Sequence, residues 1–95
     1  MTTFIMTGRY TSQGVKEISF QRSQKGVEIV QQCGGKFLTC YILMGETDVL
    51  VVAEFPGINE AIKASVLLNR ALGISFTTVP AISVEEFDKL VGIDA

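Results

Sequence analysis

A chain of 95 residues holds one hydrophobic core, because halving it would leave two pieces too small to bury enough surface. A composition of 47% hydrophobic and 19% charged residues argues against a disordered tail and for one well-filled domain over 1–95. Net charge −2, pI near 5.0 and scattered Lys and Arg, with Lys16, Arg22 and Lys25 as the tightest group, argue against nucleic acid as a partner.

Residues 3–10 read as a first strand, with Phe4, Met6 and Gly8 on one side and Ile5, Thr7 and Arg9 on the other. A helical region follows from about Ser12 to Cys33. Val15 and Ile18, then Val27, Val30 and Cys33, recur three apart, but Gly26 and the polar stretch from Gln21 to Lys25 weaken its middle. The pattern predicts a broken helix, or a short helix leading into a longer one that starts near Ser19 or Ser23. Gly34-Gly35 stops it, since glycine readily takes the left-handed conformation of a helix C-terminus.

Two apolar runs, Lys36 to Met44 and Thr47 to Phe55, flank Gly45-Glu46, and glycine first in a two-residue connection predicts a hairpin with a type II′ turn. Pairing Met44 with Thr47 sets Ile42 opposite Val49, Cys40 opposite Val51 and Leu38 opposite Ala53, all on one apolar face. The other face carries Thr39, Tyr41, Leu43, Asp48, Leu50, Val52 and Glu54. After Pro56-Gly57 a second helix is expected from an Asn59 N-cap to Leu72, with Ala61, Ala64 or Ser65, Leu68 and Leu72 along one side and Gly73 as its stop. A last strand from Ser75 to Ala81 contains Pro80, which has no N–H for a ladder and marks an edge. Ser83 and Glu86 form a capping box, with Ile82 and Phe87 placed as its staple, for a short C-terminal helix docked through Phe87, Leu90 and Val91 on the domain or on a neighbour.

Strand, helix, hairpin, helix and edge strand, in that order, make an α+β, ferredoxin-like βαββαβ unit. Right-handed crossovers put the first and third strands in the middle of a four-stranded antiparallel sheet and both helices on one face. The second face then exposes Ile5, Tyr41, Leu43, Leu50 and Val52. A mean hydropathy of +0.37 is high for a chain this short. Stacking the open face on a second copy would shelter these residues and leave a chamber lined by Thr7, Arg9, Thr39, Tyr41, Asp48 and Glu54. The partner expected is therefore the chain itself, as a homodimer or higher homo-oligomer. The longest apolar run, Val49 to Ala53, is far short of the ~18 residues that span a bilayer, and the N-terminus has no leader pattern, so no membrane partner and a cytoplasmic location are expected.

The opening strand to Thr11, the helix ending in Cys33-Gly34-Gly35-Lys36, the segment YILMGETDVLVV from Tyr41 to Val52 and the closing ISVEEF together resemble the GYD-domain family. The resemblance covers nearly the whole chain. It implies a ferredoxin-like dimeric α/β barrel and brings no established activity with it. Thr47 stands where the family pattern has a tyrosine ahead of its aspartate.

Histidine is absent, which removes the commonest general base and the commonest zinc or haem ligand. Glu46, Asp48 and Glu54 lack ligand-like spacing, so neither a metal nor a cofactor is expected. Cys33 and Cys40 read first as reduced packing thiols and second as a redox pair. Weak candidates for ligand contact are Arg9, Thr39, Tyr41, Asp48 and Glu54. Each has a plainer reading: Asp48 as the residue that sets the hairpin by local hydrogen bonds, Tyr41 as a cross-strand contact, Arg9 and Glu54 as an ion pair. Two functions fit. One is a small-molecule binding or assembly module built on the dimer; the alternative is a cofactor-independent dimeric-barrel enzyme, monooxygenase- or isomerase-like, working through Tyr41, Asp48 and Arg9.

Overall fold

A computed structural model of the chain describes residues 1–11 and 20–92, with backbone alone for 20–22. The expected helical start over Ser12–Ser19, including Val15, Lys16 and Ile18, and the side chain of Arg22 lie outside the described residues. Alternating side chains make the first strand, β1 (Thr2–Tyr10), and bury Phe4, Met6 and Gly8. Helix α1 (Phe20–Gln32) buries Ile29 and Val30, and Cys33 is buried just beyond its end. It stops where Gly34 takes φ 80°, and the N–H of Gly35 donates back to the Val30 carbonyl at 2.9 Å.

Strands β2 (Lys36–Ile42) and β3 (Val49–Phe55) follow, then α2 (Ile58–Leu72), β4 (Ile74–Ala81) and α3 (Val84–Val91). The four strands form one antiparallel sheet in the order β2-β3-β1-β4, with β1 and β3 central and β4 at an edge. This is the α+β ferredoxin-like arrangement, with α1 and α2 against the face that carries Phe4, Met6, Val51 and Phe55. Phe55, Met6 and Val30 are the largest fully buried side chains, each contributing about 1.5–3 kcal/mol by leaving water. The rings of Phe4 and Phe55 meet edge to face with centroids 5.8 Å apart.

Ala61, Ala64, Leu68 and Leu72 are the buried stripe of α2, as their spacing implies, and small residues at two of the four positions bring its backbone close to the sheet. Ser65 Oγ lies 2.6 Å from Thr78 Oγ1, and Asn69 Nδ2 donates to the Ile74 carbonyl at 3.1 Å, which ties α2 to β4. Gly26, a weak point for an isolated helix, sits where a Cβ would lie 3.2 Å from Leu72 Cδ1, so its missing side chain lets α1 and α2 pack closely.

Three local expectations are corrected. Ile42 faces Val49 and Cys40 faces Val51, but the residue opposite Ala53 is Phe37. Leu38 is the extra residue of a β-bulge, which restores the apolar face through Phe37 after a slip of one position. The connection between β2 and β3 spans residues 43–48, and Gly45 does not take the positive φ that a type II′ turn demands. Gly57 occupies the N-cap of α2 with no side-chain cap, and Asn59 lies inside the helix, since the chain enters α2 directly from Pro56-Gly57.

Candidate functional site

Among the described residues, helices shelter one face of the sheet only. The other face presents Ile5, Thr7 and Arg9 of β1, Leu50, Val52 and Glu54 of β3, Thr39 and Tyr41 of β2, and Thr77 and Val79 of β4. Ile5, Leu50 and Val52 are partly covered by their neighbours, while Tyr41 is 60% exposed and Val79 47%. The centre of this face is apolar and its margins are polar. Such a floor suits a flat partner or a mixed ligand better than water.

Cross-strand register distributes the candidate residues unevenly. Tyr41 pairs with Leu50 and Thr39 with Val52, so the two sit side by side on β2. Arg9 is exposed at the far end of β1, opposite Ser75. Glu54 pairs with Thr3 on one side and Lys36 on the other. Six positions of β1 therefore separate Glu54 from Arg9, about 20 Å at ~3.3 Å per residue, and the expected Arg9–Glu54 ion pair is not formed. Antiparallel pairing of β1 with β3 sends the two charges to opposite ends of the face.

Asp48 is a clamp. Its N–H donates to the Gly8 carbonyl at 2.8 Å, its carbonyl accepts the Leu43 N–H at 2.8 Å, and its Oδ2 accepts the Tyr10 N–H at 2.9 Å. These bonds fasten the end of β1 to the β2–β3 connection. The expected role, setting the hairpin by accepting local hydrogen bonds, fits the Asp48 carbonyl, which takes the Leu43 N–H; the carboxylate instead reaches across the sheet to β1. Tyr10 carries no sequence signal for this part, because nothing in a tyrosine at a strand end announces a backbone donor.

Between the helices and the β2 side of the sheet lies a mostly apolar cavity of about 280 Å³, with Tyr10, Val27, Phe37, Cys40 and Leu68 in its wall. Partial burial there pushes the Cys40 thiol above its ordinary value. Cys33 is buried and Cys40 exposed, and both are free thiols. A second hollow, about 520 Å³, lies at the Glu54 end of the open face, walled by Thr3, Ile5, Glu54 and Ala81 from the sheet and by Ser83 and Glu86 at the start of α3. Among the described residues no three His, Cys, Asp or Glu side chains converge as metal ligands do, and no helix is long and apolar enough to cross a membrane.

The GYD domain model matches residues 4–91, from the third residue of β1 to the last residue of α3. The chain belongs to the GYD-domain family. Apart from Thr2 and Thr3 at the start of β1, the strands and helices among the described residues of this GYD domain lie within the matched span, and α3 is part of the domain and not an appendage to it. No curated protein matches the chain. In this GYD domain the position ahead of Asp48 is Thr47, so the clamp works without a neighbouring ring.

Proposed function

We propose that this GYD domain works as a homodimer stacked sheet to sheet, and that the dimer is a module for binding a small molecule of mixed polarity in the chamber between the faces. The observation that carries this reading is the helix-free face centred on Ile5, Leu50 and Val52. Burying side chains of this size is worth about 1.5–3 kcal/mol each, and a second copy offers the same apolar floor in return. Tyr41, Thr39 and Arg9 supply the polar margin that would orient a ligand. Asp48 supports a structural part in this reading: one oxygen of its carboxylate is engaged by the Tyr10 N–H and holds the end of β1 to the β2–β3 connection.

Light scattering on the eluting protein tests the dimer directly. A particle of twice the 10.3 kDa chain mass is expected at micromolar concentration, and a 10.3 kDa particle there would overturn the reading. Native mass spectrometry of the freshly purified dimer tests the chamber. A retained small molecule, lost in Tyr41→Ala with the dimer intact, supports binding; an empty dimer that takes up no probe from a panel of aromatic acids and amides leaves assembly alone.

A further inference from the structure

The C-terminal helix is built to last, yet none of its residues belongs to the core. Ser83 Oγ accepts the Glu86 N–H at 3.0 Å, Gly92 closes the other end at φ 71°, and Lys89 reaches Glu85 at 3.6 Å. Eight residues are too few to hold a helix alone in water, where isolated helices shorter than about 12–15 residues are marginal. Val84, Phe87 and Val91 form one apolar stripe with Leu90 beside it; Val84 and Leu90 are largely exposed, and Phe87 and Val91 are about half covered. A capped, amphipathic helix with an incompletely covered stripe calls for a surface that its own subunit does not supply.

We infer that α3 is the arm of the interface: in the dimer it packs its apolar stripe onto the second copy. The inference rests on the sheet-to-sheet reading above and deepens it. Three observations choose a second copy as the occupant. First, α3 is continuous with the open face, since the hollow beneath its first turn is walled by Thr3, Ile5 and Glu54, and whatever stacks on that face meets the helix too.

Second, the sheet alone is small. Four strands ~4.8 Å apart and about 23 Å long outline a plane of only about 450 Å². Side chains give it more accessible surface than that outline, but it must reach roughly 800 Å² per partner for a stable complex, and contact beyond the sheet helps it do so. An exchanged helix adds contact twice over, once as the arm and once as the surface that receives the other arm. The chain's longest dimension of 49 Å, with a radius of gyration of 14.5 Å against about 12 Å for a compact chain of this length, fits a subunit shaped to be completed by another.

Third, the charges suit such packing if the second copy is stacked with its strands reversed. The polar side of α3 carries Glu85, Glu86 and Asp88 against Lys89. α3 leaves the sheet at the Thr3 end, and Arg9 stands exposed at the opposite end, with no ion pair among the described residues. Reversing the strands of the second copy brings the acidic helix of one subunit to the Arg9 end of the other.

The test uses the full chain, with Val52→Glu on the sheet face and Leu90→Glu on α3, followed by sedimentation equilibrium and by hydrogen exchange of the amides of residues 84–91. A wild-type dimer is expected, with both variants folded by circular dichroism and each weakening dimerisation about tenfold or more, because each sets a charge in a desolvated contact. Protection of the α3 amides should rise with protein concentration. Should Leu90→Glu dimerise like wild type while Val52→Glu does not, the arm is refuted and the stacked sheet survives. Protection of α3 that is the same at every concentration would place the helix on its own subunit and equally refute the arm. A monomeric wild type removes both readings together.

Discussion

The Tyr10 N–H donates to Asp48 Oδ2 at 2.9 Å, joining positions 38 apart in the chain. A hydrogen bond to a charged acceptor contributes about 1.5–3 kcal/mol, and its loss leaves a part-buried backbone donor unmet. Asp48→Ala is therefore expected to lower unfolding stability in urea by about that amount, while Asp48→Asn, which keeps an acceptor oxygen, loses less. Equal losses in the two variants would show that charge alone, and not the bond, matters at this site.

Gly8 lies where β1 and β4 pack under the helices. A Cβ there would stand 2.7 Å from Ile74 Cγ2 and 2.8 Å from the Phe76 ring. Gly8→Ala must push two core side chains aside, and overpacking of this kind costs about 1–3 kcal/mol. Chemical denaturation measures it. A variant as stable as wild type would mean that Ile74 and Phe76 move freely.

Much of this architecture was legible in the sequence, and the misses share a cause. Alternation in β1 and β3, the Ala61–Leu72 stripe and the Ser83 cap are local patterns, and each produced the element expected of it. The misses need knowledge of what lies across the sheet. Leu38 and Phe37 are both apolar, so the pattern is silent about a slip that exchanges one for the other. Arg9 and Glu54 share a face by parity, yet only the register of β1 against β3 reveals that they sit at opposite ends. Asp48 was legible as a hairpin residue but not as the acceptor for Tyr10, because that bond is set by the third strand.

The cap of α3 offers a separate prediction. Replacing an N-cap serine by alanine costs a helix about 0.5–2 kcal/mol. Ser83→Ala should speed hydrogen exchange across residues 84–91 and leave exchange in the strands unchanged, since no residue of α3 belongs to the core. Uniform acceleration through the whole chain would instead make α3 part of the global folding unit.

Cys40 gives a pH signature. Although Cys40 is exposed as a residue, partial burial on its cavity side raises its thiol above the ordinary value, so the thiolate that reacts with iodoacetamide is scarcer in the folded chain than in an unfolded peptide. Alkylation at pH 8 should be slower than for a free cysteine and should keep accelerating above pH 9. The linked effect on folding has a definite sign. The unfolded chain gives up this proton first, so the contribution is fully present below the ordinary thiol range and is lost as pH rises through it. Buried Cys33 should label only when the protein unfolds.

Pro80 has a consequence beyond marking β4 as a border. A ring without an N–H cannot zip onto an incoming strand, and on the opposite border the bulge at Leu38 breaks the even spacing that such zipping requires. Lateral growth into ribbons is thus discouraged at both margins, so the proposed pairing would run through the broad open side and would end with a closed and countable particle.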